Sequence, residues 1–294
     1  MRGPGQEIYK VDDVEVVALQ GLDLRIERGE LMGLIGPSGS GKSTLMNVLG
    51  GLDAPSAGKA SVDGVDLIRM SGRERLRYRR RRVGFVWQNV GRNLIPYLSA
   101  LENVRMPMVL AGRYQHRRAE RLLEIVGLEH RMHHHPASMS GGEQQRVAIA
   151  IGLANDPPVL LADEPTGSLD TENANRLLQV FDGVRKELGV TVVVTHDTTM
   201  AGLLDRYVQI RDGKTSTESV RRVAPQSPQA ELAAPTSGEH HHHADHAESH
   251  EHYTLLDSAG RLQIPADVRD AYGIRGRVKL VEEDGQILIV PAEG

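Results

Sequence analysis

The 294-residue sequence has no cysteine, one tryptophan and two phenylalanines, so that aromatic residues make up only 3% of it. The absence of cysteine excludes disulfide bonds and thiolate metal sites, and it fits a reducing compartment. No apolar run approaches the roughly 18 residues that a membrane-spanning helix needs, and the first residues lack the apolar segment of a secretory signal. We therefore expect a soluble protein that acts at a membrane only through a partner chain.

The residues that are present indicate one large and one small folded unit. The hydrophobic fraction of 39% is enough for a packed core, and the formal net charge of -4 gives no overall attraction to nucleic acid or to an anionic membrane. Residues 1–222 alternate short apolar runs with helix-like stretches, as is typical of a layered α/β domain. Residues 223–252, rich in Pro, Ala, Ser, Glu and His, predict a flexible linker, and residues 253–294 predict a small second domain.

Short apolar runs in the large domain predict the strands of its sheet. The candidates are Leu31–Ile35, Val83–Val86, Val159–Ala162 and Val190–Thr195. Near-continuous apolar runs are expected of strands that are buried on both faces. Residues 7–26 instead alternate polar and apolar residues, which predicts a flanking antiparallel piece.

A glycine-rich segment follows the first of these strands directly. It matches the phosphate-binding P-loop pattern, GxxxxGK[ST], and lies between a strand and a helix-compatible run. Its glycines let backbone N–H groups turn toward phosphate oxygens, and the following helix N-terminus adds a favourable dipole. Lys42 would reach the β- and γ-phosphates, and the Ser43 hydroxyl would coordinate Mg²⁺. The predicted phosphate-binding residues are Gly36, Ser38, Gly39, Ser40, Gly41, Lys42, Ser43 and Thr44.

Two acidic residues, Asp163 and Glu164, follow a second strand candidate in the run VLLADEP. An aspartate at the end of a buried strand can hold Mg²⁺ through water, and the adjacent glutamate can orient or deprotonate an attacking water. A strand that ends in two acids often only enters solvent. Beside a P-loop, however, the pair predicts a site of nucleotide hydrolysis.

Six elements in chain order resemble the ATPases of the ATP-binding-cassette (ABC) family. They are the P-loop, Gln88 after GFVW, the signature Ser-Gly-Gly-Glu-Gln-Gln-Arg at 140–146, Asp163 with Glu164, Ser-Leu-Asp at 168–170, and His196 after VVVT. The resemblance implies an α/β P-loop cassette with an antiparallel β subdomain and a helical subdomain. It also implies that ATP and Mg²⁺ are the cofactors.

The resemblance further implies a composite site between two cassettes that pair head to tail. Glu164 would be the general base, His196 would bind the γ-phosphate, and Gln88 would sense Mg²⁺ and the attacking water. The metal would be held by Ser43, Gln88 and Asp163. The other implied nucleotide contacts are Tyr9 on the adenine, the signature residues Ser140, Gly141, Gly142 and Glu143 of the opposite cassette, and Asp170.

The sequence departs from the family pattern before, within and after the signature. Within it, Glu143 replaces the commoner Gln. Met139 stands in place of the usual Leu, a volume-conserving exchange. Ile151-Gly152 replaces the usual Arg-Ala, and a glycine inside a helix is expected to cost about 1 kcal/mol relative to alanine.

Connecting phrases narrow the resemblance to one branch of the family. GPSGSGKSTLMNVLGGLD, ENVRMP, LLADEPTGSLD and VTHD look like the lipoprotein-release, macrolide-export and cell-division group (LolD, MacB, FtsE). This implies a cassette on the inner face of the cell membrane that powers a separate permease in efflux or mechanotransmission. Two alternatives are a soluble ABC protein of DNA repair or ribosomes, and a nucleotide-sensing regulator that binds DNA.

A basic stretch, Arg73–Arg82, carries seven arginines and one glutamate. It is typical of a solvated helix face, and contact with anionic lipid or an acidic partner is the next interpretation. Nucleic-acid binding is the least favoured, because no aromatic interleaving or base-reading motif accompanies the run.

Residues 253–294 resemble the swapped-hairpin domains of the AbrB/SpoVT/MazE group. The matching features are a strand, the turn Gly260-Arg261 after it, Ile264-Pro265 before a short helix, Gly273-Ile274 after that helix, and a hairpin with Asp284-Gly285 at its turn. Such domains form intertwined dimers and many bind DNA. Five basic and seven acidic residues give this segment a net charge of -2, which argues against DNA binding. We therefore predict a clasp that holds two cassettes together.

The predicted linker holds seven of the 13 histidines, all between His240 and His252. Histidines at this density can bind Zn²⁺, Ni²⁺ or Cu²⁺, and a polar spacer is the alternative interpretation.

Overall fold

A computed structural model of the protein describes residues 6–11, 14–20, 22–167, 169–196, 204–211, 213–221, 250–254, 262, 264–274, 278–283 and 286–291. In these ranges the strands are β1 (Gln6–Val11), β2 (Val14–Gln20), β3 (Leu31–Ile35), β4 (Ser61–Val62), β5 (Val65–Asp66), β6 (Val83–Val86), β7 (Val159–Ala162), β8 (Thr191–His196), β9 (Arg206–Arg211), β10 (Lys214–Arg221), β11 (His250–Thr254), β12 (Val278–Glu283) and β13 (Gln286–Pro291). The α-helices are α1 (Lys42–Leu49), α2 (Gly72–Arg81), α3 (Ala100–Leu110), α4 (His116–Ile125), α5 (Gly141–Leu153), α6 (Thr171–Leu188) and α7 (Ala266–Ala271). None of these helices is long and apolar enough to cross a bilayer.

A mixed sheet of the order β11-β10-β9-β3-β8-β7-β6 forms the centre of the fold. The strands from β6 to β9 run parallel, whereas β10 and β11 are antiparallel additions at one edge. Parallel neighbours bring the carboxyl ends of β3, β7 and β8 to the same edge of the sheet, where the P-loop and the acidic pair follow. The four predicted strands are confirmed, and the last begins and ends one residue later than expected.

Both faces of this sheet are covered, which explains the continuous apolar runs. Leu31 packs in a large core with residues of α3, α4, α5 and α6, and the next residue, Met32, packs in a second core with residues of α1. Val192 and Val193 alternate between the same two cores. All five residues of β3 are buried.

The predicted antiparallel piece at residues 7–26 is confirmed in its first part only. β1 and β2 pair as an antiparallel hairpin, but residues 22–27 form no strand. In that stretch Leu22, Leu24 and Ile26 pack against the second core, so their alternation reflects burial without strand pairing.

Three antiparallel pairings were not anticipated from the sequence: β4 with β5, β9 with β10, and β10 with β11. β4 and β5 are joined by Asp63 and Gly64, which have φ values of 48° and 76°. Positive φ at both positions is typical of a type I′ hairpin turn, and the Asp-Gly dipeptide between two valines was the available signal. The pairing of β9 with β10 was also missed.

The C-terminal segment contributes β11 to the central sheet, in register from Arg221 opposite His250 to Thr217 opposite Thr254. This strand includes the last three residues of the predicted linker, and the other linker residues lie outside the described ranges. The predicted short helix is confirmed as α7; Gly273 (φ 63°) follows it, and the Ile274 N–H donates to the Arg269 carbonyl. β12 and β13 form the predicted hairpin. The predicted turns Gly260-Arg261 and Asp284-Gly285 lie outside the described residues.

Candidate nucleotide-binding site

The P-loop turns sharply from β3 into α1 on three glycines, of which Gly36 has no room for a side chain. Gly36 has a φ of 156°, and a Cβ there would lie 2.2 Å from the Ile210 carbonyl oxygen and 2.8 Å from the Ser40 Oγ. Gly39 (φ 77°) and Gly41 (φ 103°) hold left-handed conformations that favour glycine. The sequence therefore folds here into a tight backbone loop.

The N-terminus of α1 is open to an anion. Its N-cap, Gly41, offers no side-chain cap, and its first turn has no acidic residue. The free N–H groups and the helix dipole favour negative charge at this point. The Ser40 hydroxyl is buried and has no hydrogen-bond partner within the described structure, so it can form a hydrogen bond with a ligand.

Lys42 lies folded over this loop. Its Nζ donates to the carbonyl oxygens of Gly36, at 2.6 Å, and Pro37, at 2.9 Å, and the residue is 7% exposed. A cation held by neutral carbonyls only is available to phosphate oxygens at the same loop.

Asp163 and Glu164 are tied to the neighbouring strand β8 through one hydroxyl. The Thr195 Oγ1 donates to the Asp163 Oδ1 at 2.9 Å and accepts from the Glu164 N–H at 2.6 Å. Thr195 is fully buried, and Glu164 has a φ of 43°, which is uncommon for a residue with a side chain. Backbone strain of this kind clusters at functional sites. Here the hydrogen bond to Thr195 holds the Glu164 backbone in its strained conformation.

A cleft of about 460 Å³ joins these elements. It is lined by Ser43, Asn47, Trp87, Gln88, Asn89, Arg92 and Asp163. The three residues predicted to hold the metal (Ser43, Gln88 and Asp163) therefore face one space. Hydroxyl, amide and carboxylate oxygens are the ligand types that Mg²⁺ prefers.

The segment after β6 forms one wall of the cleft, and its backbone is fixed by side chains. The Asn93 side chain accepts from the Trp87 N–H at 2.9 Å and donates to the Trp87 carbonyl at 2.8 Å. The Trp87 ring stacks on Phe85 with centroids 4.0 Å apart, and the Arg92 guanidinium lies 5.6 Å from the Trp87 ring centroid. Trp87, Arg92 and Asn47 were not among the predicted site residues; the tryptophan next to Gln88 was the available signal.

Gln88 is also linked to the signature helix. The buried side chain of Gln145, on α5, donates to the Gln88 carbonyl at 3.4 Å. The packing of α5 and the position of the Gln88 backbone are therefore coupled by a contact between residues far apart in sequence.

The signature residues form the N-terminus of α5. Ser140 is the N-cap: its Oγ accepts from the Glu143 N–H at 3.2 Å, and the Glu143 Oε2 accepts from the Ser140 N–H at 2.8 Å. Arg131 donates to the Glu143 Oε1 at 3.0 Å. The bond from the Ser140 backbone, with the Arg131 charge adding to it, lowers the pKa of Glu143. Glu143 therefore shapes the signature turn, while Ser140 and Gly141 are exposed.

Asp170 is likewise engaged as a helix cap. It accepts from the Asn173 N–H at 3.0 Å and from the Asn173 Nδ2 at 2.6 Å at the start of α6, and the backbone bond lowers its pKa. Asn173 lies next to Gly142, where its Oδ1 would be 3.5 Å from an added Cβ. The ends of α5 and α6 thus meet beside the signature.

Gly152, the departure expected to weaken α5, has a packing reason. An added Cβ would lie 2.7 Å from the Leu160 Cδ1, and a Cβ on Gly84 would lie 2.3 Å from the Gly152 carbonyl oxygen. The two glycines allow α5 to approach β6 and β7 closely. The closer packing of α5 on the sheet therefore acts against the expected cost of a glycine in the helix.

For two of the predicted site residues, the structure describes only the backbone. His196 ends β8 opposite Ile35, the last residue of β3, and Tyr9 lies in β1 opposite Val16. Their side chains, and Ser168, lie outside the described residues.

The residues at the end of β3 and β7 fit ATP and Mg²⁺. The uncapped helix, the orphaned Ser40 hydroxyl and Lys42 suit a polyphosphate, and the oxygens of Ser43 and Asp163 in one cleft suit a divalent cation. The fold and this site define a P-loop nucleotide hydrolase.

Comparison with known proteins gives the family. Residues 19–167 match the ABC transporter family. The chain is 47% identical over 219 residues to the lipoprotein-releasing system ATP-binding protein LolD 2 of Caulobacter vibrioides, covering 73% of this chain and 95% of that protein. It is 42% identical over 245 residues to the macrolide export ATP-binding/permease protein MacB of Syntrophobacter fumaroxidans, covering 81% of this chain and 34% of that protein.

A solved structure gives the same result for the fold. The dimeric, post-hydrolysis cassette MJ0796 bound to ADP and Pi is 39% identical with a TM-score of 0.65, covering 73% of this chain and 95% of that chain. The chain belongs to the ABC transporter family and is an ATP-binding subunit of the LolD and MacB group. It is an ATPase with ATP and Mg²⁺ as its cofactors.

Proposed function

We propose that this ATPase powers a separate membrane permease in efflux or mechanotransmission, from the inner face of the cell membrane. The relatives named for lipoprotein release and macrolide export support this class over import. The MacB relative is named as both ATP-binding protein and permease, and this chain covers only 34% of it. The LolD relative, of which the match covers 95%, is named as an ATP-binding protein only, and this supports a permease on another chain.

The observation that carries the catalytic proposal is the Thr195 bridge beside the P-loop. It holds Asp163 and Glu164 at the carboxyl end of β7 while Ser43 and Asp163 share one cleft. Bound MgATP supplies the phosphoryl group to be transferred to water. In this proposal Ser43, Asp163 and Gln88 hold the metal, Lys42 binds the phosphates, and Glu164 accepts the proton of the attacking water.

A second cassette would complete each site. The exposed Ser140 and Gly141 at the N-terminus of α5 offer N–H groups to the nucleotide of the opposite subunit. The MJ0796 relative is dimeric in its nucleotide-bound structure, which supports this arrangement. His196 and Tyr9 would contact the γ-phosphate and the adenine.

Replacing Glu164 by Gln tests the role of the base. We expect Glu164→Gln to bind ATP with near wild-type affinity but to hydrolyse it at least about 100-fold more slowly, because the amide cannot accept the proton. Glu172→Gln, an exposed glutamate on α6, is the matched control and should hydrolyse ATP normally. Wild-type turnover in Glu164→Gln would overturn the assignment.

The C-terminal hairpin supports a second layer of dimerisation, as a clasp between two chains. Leu280 and Ile287 are 70% and 72% exposed, and Tyr272 beside α7 is 72% exposed. A small unit with this much uncovered apolar surface is stable only when another surface covers it. A two-fold clasp would also suit a two-fold pair of cassettes.

Light scattering on the full chain tests the clasp. We expect Leu280→Glu with Ile287→Glu to lower the nucleotide-free mass from dimer to monomer while ATP still binds. Tyr97→Glu, which changes a 76% exposed residue outside the hairpin, is the control. An unchanged mass in the hairpin variant would contradict the clasp.

The DNA-binding alternative gains no support, and the hairpin segment keeps its net charge of -2. Metal binding by the histidine-rich segment stays a prediction, because most of it lies outside the described residues. Among the residues that the structure describes, no group of three or more His, Cys, Asp or Glu could hold a metal. Equilibrium dialysis against Zn²⁺, with and without residues 239–252, tests it.

A further inference from the structure

The basic helix α2 presents four arginines on one face. Arg73, Arg77, Arg80 and Arg81 line a shallow recess of about 190 Å³ together with Leu76 and with Ala111, which follows α3. They are spaced at i, i+4, i+7 and i+8, so that they lie on one side of the helix over about 12 Å. All four are exposed.

These four guanidinium groups have no hydrogen bond or ion pair in the described structure, in contrast to arginines elsewhere in the cassette. Arg131 pairs with Glu143, Arg185 with Asp182 and Asp205, and Arg206 with Glu30 and Glu218. The only acid on α2, Glu74, is occupied by the helix cap, where it accepts from the Ser71 N–H at 2.8 Å and the Ser71 Oγ at 2.7 Å. The recess therefore carries a concentrated positive charge, which the interaction of Glu74 with Arg77 offsets only in part, on a chain of net charge -4.

The helix that carries this charge is fixed to the cassette from its other side. Tyr78 is 3% exposed and donates to the Leu49 carbonyl at 2.5 Å, and Arg82 pairs with Asp63. Because α2 is held to the rest of the cassette, a surface bound to the charged face would fix the orientation of the whole cassette.

Exposed aliphatic side chains lie beside the arginines. Leu76 is 40% exposed, and Val109 and Leu110, at the end of α3 next to Ala111, are 56% and 65% exposed. Basic groups around isolated aliphatic side chains suit a surface that has phosphates at its outside and hydrocarbon beneath. A bilayer offers several separate phosphates, each of which can pair with one guanidinium along the helix.

We propose that the recess formed by α2 and the end of α3 binds anionic phospholipid headgroups and so orients the cassette against the membrane. The surface lies outside the nucleotide cleft and shares no lining residue with it. Its failure would leave the ATPase assignment intact.

Co-sedimentation of the full chain with vesicles tests this. Phosphatidylcholine vesicles with phosphatidylglycerol should bind the wild type, and vesicles of phosphatidylcholine alone should not. The variant with Arg73, Arg77, Arg80 and Arg81 all changed to Gln should bind roughly 600-fold more weakly, since each of the four basic residues at an anionic surface contributes roughly a fivefold change. Raising the salt concentration should weaken the wild-type binding.

A charge-matched control changes four exposed arginines elsewhere (Arg25, Arg117, Arg121 and Arg176) to Gln. It should keep vesicle binding, and both variants should keep ATPase activity. Equal binding by the two variants, or no binding of the wild type to phosphatidylglycerol vesicles, would overturn the proposal. Retention on immobilised poly-glutamate without sedimentation on vesicles would overturn it too, in favour of an acidic protein partner.

Discussion

The nucleotide cleft and the C-terminal hairpin differ in how completely a single chain buries their side chains. At the cleft, β3 is buried along its whole length and the acidic pair is tied down by the fully buried Thr195. In the hairpin, β12 is exposed along its whole length and β13 is nearly so. The cassette supplies its own core, whereas the hairpin leaves its apolar side chains exposed, which the proposed clasp would cover. Substitutions at the cleft should therefore change stability and chemistry within one chain, and those in the hairpin should change association.

The largest expected effect is at Gly36. A Cβ there would overlap the Ile210 carbonyl oxygen, at 2.2 Å, so Gly36→Ala should lower the free energy of unfolding by about 3 kcal/mol or more and abolish ATP binding. Gly39→Ala is the control: it has a positive φ but nothing within 4 Å, and should cost only about 1 kcal/mol. Urea unfolding of both variants measures the loss in the free energy of unfolding for each. Equal costs would show that loop strain, not close packing, sets the requirement.

A smaller effect is expected at Thr195. Thr195→Val keeps the shape but leaves the Glu164 N–H without its acceptor, so it should cost about 1–3 kcal/mol of stability and slow hydrolysis about tenfold. Thr191, at the other end of β8, accepts from the Gly29 N–H at 3.0 Å and is the matched control. Thr191→Val should lose similar stability and keep its rate. If both variants hydrolyse ATP at the wild-type rate, the bridge has no role in positioning the acids.

The smallest effect concerns Glu143 and depends on pH. Because its pKa is lowered from 4.5 in the folded protein, its charge adds stability above pH 4.5, and this is lost as the pH falls through the lower folded value. Glu143→Gln should thus be less stable than the wild type by about 1 kcal/mol at neutral pH, with the difference shrinking below pH 4.5. Urea unfolding at both pH values measures it. If the difference in stability between the two proteins does not change with pH, the effect comes from the shape of the side chain and not from its charge.

Much of the cleft was predictable because its parts are local in sequence. The P-loop and the acidic pair each follow a continuous apolar strand, and the parallel sheet then brings them to one edge. The contacts that fix them were not predictable, because they join distant residues: Thr195 to Asp163, and Gln145 to Gln88. A strand before Gly260 was expected, but its start inside the predicted linker and its pairing with β10 were missed, because the sequence HEHYT carries no apolar alternation.

The most direct test of the central claim uses the only tryptophan in the chain. Trp87 lines the cleft together with Ser43 and Asp163, so its fluorescence should report nucleotide binding. The account predicts a saturable change on titration with MgATP, lost in Lys42→Ala and kept in Lys59→Ala, whose lysine is exposed away from the cleft. A titration that is the same for Lys42→Ala and the wild type would contradict it.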